Sequence, residues 1–226
     1  MMSCRWRLTS MGFKELQCLL KRRLESYTPQ LIGDTDLFSR PAVSLQTPAN
    51  ILFDAAVLVA LLDVNAEPSI LLTKRAEHLR IHPGEIAFPG GKMDDADEHL
   101  LATALREAEE EVALPVELFH PLGVLDQRVT RSNLRVTPWV GYLAQQPALS
   151  ANPDEIAEIF TAPLSFFSTP KNLTWDYVIY RGKPRYVAYY QYREYRVWGM
   201  TAMVIVNLMN VLFDAGLYPP TLEETQ

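Results

Sequence analysis

The chain has 226 residues, 48% apolar, 10% aromatic and 21% charged, which suits one folded domain and excludes a disordered tail or a collagen-like repeat. Lysine and arginine number 21 against 27 aspartates and glutamates, a formal charge of −6, so a general nucleic-acid binder with a basic footprint is excluded. Phosphate ligands are not excluded, because a bound cation reverses the local sign.

Cys4 and Cys18 are the only cysteines, too few for a disulfide framework or a four-sulfur zinc site. They read as reduced thiols in a cytoplasmic protein. No run reaches the ~20 apolar residues that cross a bilayer, so no membrane partner is expected. The opening MMSCRWRLTSMGFKELQ is basic before Glu15 but has no apolar core suited to secretion. Organelle targeting and an over-extended start, with Met11 as the natural first residue, both account for it; the second is simpler.

In chain order, Phe13, Leu16, Leu19, Leu20 and Leu24 recur at helical spacing, predicting an amphipathic helix over 12–27. An irregular stretch with Pro29, Gly33, Pro41 and Pro48 completes an N-terminal extension, residues 1–50. The main domain is expected over 51–216 and a tail over 217–226. AAVLVALL (55–62) and SILLTKR (69–75) read as strands around a turn-prone 63–68, and 98–112 as a helix. VLDQRVT (124–130) and RVTPWVGYLA (135–144) read as the next strand pair. DEIAEIFTAPLSFF (154–167) reads as a short helix or strand leading into a loop. TWDYVIY (174–180) and RYVAYYQY (185–192) flank a hairpin turn at 181–184, and a packed helix runs from about 201 to 215, stopping near Gly216 and Pro219. Without a regular βαβ alternation, the fold class is α+β or mixed α/β, a mixed sheet between helices.

The chemistry concentrates in FPGGKMDDADEHLLATALREAEEEVAL, residues 88–114. With Glu107 at zero on a helical wheel, Glu111 falls at roughly +40° and Glu110 at roughly −60°. Ala104, Ala108, Leu101, Val112 and Leu105 fall between about 60° and 160°, a small apolar face beside three carboxylates. Glu107 and Glu111, four apart, repel on a bare helix. A divalent cation between them removes that repulsion, and hard oxygen ligands suit Mg²⁺ or Mn²⁺. A merely solvated acidic face explains the helix alone equally well. Pro89-Gly90-Gly91 shifts the balance, because such a turn lets backbone approach a metal or phosphate closely. Arg106 is placed to pair with Glu110 at i+4.

The segment resembles the Nudix box, G-x5-E-x7-R-E-U-x-E-E-x-G-U with U aliphatic. Gly91 opens it and Arg106-Glu107-Ala108-Glu109-Glu110-Glu111 fills its core. Asp97 stands at the first glutamate with eight rather than seven residues before Arg106, and Ala113 replaces the glycine after the helix. That second departure leaves the usual left-handed helix cap open. Upstream, LLTKRAEHLRIHPGEIAFPGG (71–91) is similar to the extended signature of the coenzyme A diphosphatase branch.

The resemblance implies a Nudix-fold α/β/α sandwich with metal bound by Glu107, Glu110, Glu111 and the Gly91 carbonyl, and with Arg106 in the catalytic set. It implies hydrolysis of coenzyme A or acyl-CoA to 3′,5′-ADP and (acyl-)4′-phosphopantetheine. Arg75, Arg80, His82 and Lys74 are the substrate-binding set, since the diphosphate and 3′-phosphate need cationic donors. Taken singly, Lys74, Arg75 and Arg80 also fit surface salt bridges, His82 fits a packing histidine, and His78 reads as surface. The base is a box glutamate, Glu155 or Glu158. Competing readings are a pyrophosphatase for ADP-ribose or NADH and a catalytically silent nucleotide-binding module, although the latter would be expected to lose the glutamates. Nudix relatives often dimerise, and the tyrosines at 186–195 read as core, dimer surface or acyl pocket. The charge, finally, has an address: residues 94–117 hold nine acids and one base, whereas residues 1–30 hold six bases and two acids.

Overall fold

The computed structural model describes residues 11–32, 51–130, 132–180 and 183–220. The expectations placed on residues 1–10, on 33–50 and on the tip of the hairpin at 181–182 lie outside the described residues.

Helix α1 (Phe13–Glu25) leads into a short strand β1 (Leu31–Ile32). The central strands are β2 (Phe53–Val64), β3 (Glu67–Arg75) and β8 (Leu134–Leu143). Between them come β4 (Ile86–Ala87), β5 (Gly90–Lys92), α2 (Leu100–Val112), β6 (Phe119–Val124) and β7 (Gln127–Val129). After β8 follow β9 (Ile156–Pro163) and the single turn α3 (Leu164–Phe167). The chain continues through β10 (Leu173–Tyr180), β11 (Lys183–Tyr192) and β12 (Tyr195–Trp198) into α4 (Gly199–Phe213).

Among the described residues nine strands form one mixed sheet in the order β1-β7-β8-β2-β3-β4, with β5 also on β2, β6 on β8 and β9 on β3. Strands β2 and β8 run parallel at its centre, whereas β2 and β3 form an antiparallel hairpin. The apolar run of β2 serves both faces. Ala56, Leu58, Ala60 and Leu62 pack against Ala104, Ala108 and Val112 of α2. Val59 and Leu61 face the other side, where Leu16, Leu20 and Leu24 of α1 and the apolar body of α4 close the core. The result is the expected sandwich of helices around a mixed sheet, and α1 belongs to the same core as the sheet.

Several short elements depart from the sequence reading. The stretch 124–130 is not one strand: β6 ends at Val124 and β7 starts at Gln127. Buried Asp126 lies in the break, where its carboxylate accepts from the Tyr27 hydroxyl and the Gln30 N–H. The segment 154–167 is mostly strand, followed by the one turn of α3. Tyr186, Tyr190, Tyr192 and Tyr195 are buried, so most of the tyrosine-rich hairpin is core. Among the described residues no helix is long and apolar enough to cross a membrane.

Candidate functional site

The site is assembled by small residues. Ala104 and Ala108 of α2 and Ala56 and Ala60 of β2 are fully buried in one cluster, so the helix lies close to the sheet. The β5 strand, which reads as a turn in sequence, zips onto the same part of β2, with Gly91 opposite Ala56 and Gly90 opposite Val57. Gly90 has φ +147°, and a Cβ there would lie 2.3 Å from the Ala56 carbonyl oxygen. A Cβ on Gly91 would lie 2.4 Å from the carboxyl carbon of Glu107. Gly90 therefore requires glycine, because a Cβ there would meet backbone, whereas at Gly91 it is the end of the Glu107 side chain that stands against the strand.

Three glutamates of α2 meet three environments. Glu111 is only 3% exposed, and its Oε2 accepts the Gly90 N–H at 3.0 Å. Burial pushes its carboxyl up to about 7, with the neighbouring Glu107 charge adding to the shift and the Gly90 N–H opposing it. Burial also raises Glu107. Glu110 is 53% exposed. Arg106 organises the outer part. Its Nε and Nη2 donate to the two oxygens of Asp97, both at 2.9 Å, while Nη1 donates to Glu107 at 3.0 Å and Glu110 at 3.1 Å. Nη2 also donates to the Lys92 carbonyl. The Arg106 guanidinium holds the Asp97 carboxyl well below the usual range.

A family model for the NUDIX domain matches residues 52–181, more than half of the chain. The chain belongs to the Nudix family. A Nudix hydrolase NudL of Photorhabdus laumondii subsp. laumondii is 38% identical over 182 residues, covering 79% of this chain and 97% of the relative. The NudL of Pectobacterium atrosepticum is 43% identical over 162 residues, 71% of this chain and 83% of that one. Among solved structures, the Nudix hydrolase RenU of M. smegmatis matches at 20% identity and a TM-score of 0.43, over 50% of this chain and 71% of that one.

Both departures from the Nudix box have a local explanation. Asp97 reaches Arg106 with a two-pronged contact despite its shorter side chain and longer spacing. Ala113 keeps the left-handed cap expected of glycine, at φ 52° and ψ 40°, and donates its N–H back to α2. The helix end is thus preserved at the cost of a strained alanine.

The cationic set is only partly gathered. Odd-numbered residues of β3 face α2: Leu71 packs in the α2 cluster, and Arg75 two pleats on lies 3.8 Å from Glu111. Lys74 turns away to Glu77 at 2.9 Å. Arg80 and His82 sit in the exposed connection 76–85, and among the described residues Arg80 makes no ion pair. His82 is not a packing histidine: it is exposed, has φ +55°, and its Nδ1 lies 3.0 Å from Glu85. His78 is exposed, as its sequence reading has it, with Nε2 3.1 Å from the Asp154 carbonyl.

The two outlying glutamates separate. Glu158 accepts a short hydrogen bond from Tyr195, whose ring stacks on Phe160. Glu155 lies in a segment tied to the end of α2 by Asn152 N–H donating to the Glu111 carbonyl at 2.9 Å. Its charge raises both Glu107 and Glu111. The sequence left these two equal, and the tie through Asn152 was not legible in it.

Among the described residues no three acidic, histidine or cysteine groups converge at metal-binding spacing. Each box glutamate is instead engaged separately, two by Arg106 and one by Gly90 and Arg75. The donor set still fits a hard divalent cation. It offers carboxylate oxygens beside the glycine backbone of β5, and burial raises two of those carboxyls in spite of the arginines near them.

Proposed function

We propose that this Nudix protein hydrolyses the diphosphate of coenzyme A or an acyl-CoA, releasing 3′,5′-ADP and 4′-phosphopantetheine or its acyl form. One observation carries the reading: Arg75, within the coenzyme A-type segment 71–91, faces Glu111 of the Nudix helix at 3.8 Å. One cation of that segment thus stands beside the carboxylate helix, where a doubly charged diphosphate would need it. Glu107, Glu110 and Glu111, with the Gly91 carbonyl, would hold Mg²⁺ or Mn²⁺. That ion would neutralise the diphosphate and lower the pKa of a bound water.

The chain's own residues divide the remaining work. Arg106 holds Glu107 and Glu110 in place through its anchor on Asp97. Arg75 supplies a donor to the diphosphate, Arg80 and His82 of the exposed connection take the rest of the substrate, and Lys74 joins them only by leaving Glu77. Glu155 takes the proton of the attacking water, since its charge acts on Glu107 and Glu111 while Glu158 is held by Tyr195.

The test is a substrate panel. Coenzyme A, ADP-ribose, NADH and a dinucleoside polyphosphate are incubated with the protein and Mn²⁺, and products are identified by mass. The expected result is 3′,5′-ADP and 4′-phosphopantetheine formed faster than any other product. Faster cleavage of ADP-ribose or NADH replaces the substrate assignment, and no cleavage of any substrate removes the enzymatic reading.

A further inference from the structure

Positive charge in the site is distributed in two ways. Arg106 uses all three guanidinium nitrogens, with five donor contacts between 2.9 and 3.1 Å. Arg75 is different. Its nearest approach to an acid is 3.8 Å, beyond hydrogen-bonding range, and its buried Nε has no partner. A buried guanidinium N–H left without a partner is costly, so this arrangement is one half of something.

Its surroundings say what the other half is. Glu111 is buried, and its second oxygen is already engaged by the Gly90 N–H. Glu107 and Glu155 add like charge, while Lys74 is committed to Glu77. Arg75 is therefore the cation that faces Glu111 from β3, and it is held there by charge rather than by a closed hydrogen bond. Its backbone is fixed: its N–H donates to Glu85 O, and the next N–H, of Ala76, donates to Glu155 O. Only the side chain is free to turn.

We propose that Arg75 is the resident counter-ion of Glu111 in the metal-free protein, competing with the divalent cation for that carboxylate and turning to a diphosphate once displaced. The proposal rests on Glu111 being a metal ligand, as read above, and adds a coupling between metal and anion binding. Two like cations at one carboxylate oppose each other, so metal binding loosens Arg75 and frees its nitrogens for phosphate. Linkage then requires the anion to tighten metal binding by the same factor.

The test uses the full chain and needs no turnover. Mn²⁺ affinity is measured from the free-ion electron paramagnetic resonance signal, with and without methylenediphosphonate, for wild type, Arg75→Gln and Arg75→Lys. Arg75→Gln is expected to bind Mn²⁺ alone at least about fivefold more tightly than wild type, and to lose a similar factor of the anion-induced tightening. Arg75→Lys, which keeps the charge, stays close to wild type for Mn²⁺ alone. A wild-type protein that binds no Mn²⁺ overturns the metal reading itself. Wild-type binding with unchanged or weaker Mn²⁺ affinity in Arg75→Gln overturns this proposal alone, because it makes Arg75 a bystander or a support for Glu111. If Arg75→Gln does not fold, the wild-type Arg75 Nε–H resonance, assigned by its absence in Arg75→Lys, decides. It is expected to shift on adding Mg²⁺ and again on adding methylenediphosphonate; no shift with Mg²⁺ contradicts the proposal.

Discussion

Segment 88–112 and segment 74–85 lie side by side yet are built on opposite plans. In the first, the groups around the carboxylates are paired: Gly90 with Glu111, Asp97 with Arg106, and Arg106 with Glu107 and Glu110. In the second, Arg75 has spare donors and Arg80 and His82 are exposed. Preorganisation is concentrated around the carboxylates. Groups that work on developing charge gain most from being fixed beforehand, whereas recognition groups can complete their contacts with the ligand.

The comparison breaks most severely at the carboxylate buried under the turn. Glu111→Gln keeps an acceptor for Gly90 and is expected to fold, but to lose roughly 10²–10³-fold in kcat, measured under saturating coenzyme A. Wild-type turnover in this variant removes Glu111 from the chemistry. Next comes the turn itself. Gly90→Ala drives a Cβ into the Ala56 carbonyl oxygen and is expected to cost about 1–3 kcal/mol in urea unfolding, along with most activity. An unchanged midpoint and rate would show that the close approach is dispensable.

Glu111 also makes a pH prediction. Its carboxyl is raised to about 7, so the folded metal-free protein binds that proton more tightly than the unfolded chain does. The contribution to stability is full below the ordinary carboxylate pKa and is lost as pH rises through about 7. In chelator, the melting temperature of wild type relative to Glu111→Gln should fall between pH 5 and pH 8. A constant difference between the two contradicts the burial argument.

Smaller effects lie on the recognition side. Arg80→Ala is expected to impair coenzyme A by about 5–20-fold more than dephospho-coenzyme A in kcat/KM, if roughly 1–2 kcal/mol resides in a phosphate contact. Equal losses on both substrates remove that role. The smallest change is a gain: Ala113→Gly relieves a left-handed alanine and is expected to add about 1 kcal/mol of stability, read as a rise of a few degrees in Tm. No rise would mean that alanine is at ease in that cap.

The sequence carried the long elements and the chemistry well, for a physical reason. The strands β2, β3 and β8 and the helices α1, α2 and α4 announce themselves by apolar runs or helical periodicity. The wheel of α2 also orders its glutamates, since Glu111 adjoins the alanine face and Glu110 lies away from it, matching their burial. The short strands were hidden. Gly90-Gly91-Lys92 carries turn residues, and it is a strand only because β2 offers an edge that a residue with a Cβ could not approach. The β6 sequence FHPLGV breaks the strand pattern with Pro121 and Gly123, and the ladder is irregular there. Likewise, the sequence does not distinguish Glu155 from Glu158; the distinction comes from the bond of Asn152 to distant Glu111 and from Tyr195 on Glu158.

The buried carboxylates of α2 are expected to drive metal-dependent cleavage of a diphosphate. Mass analysis of coenzyme A incubated with wild type and Glu111→Gln, each with Mn²⁺ and with excess chelator, tests it most directly. Wild type with Mn²⁺ is expected to yield 3′,5′-ADP and 4′-phosphopantetheine, and the other three reactions only traces. Equal product in chelator, or from Glu111→Gln, would contradict it.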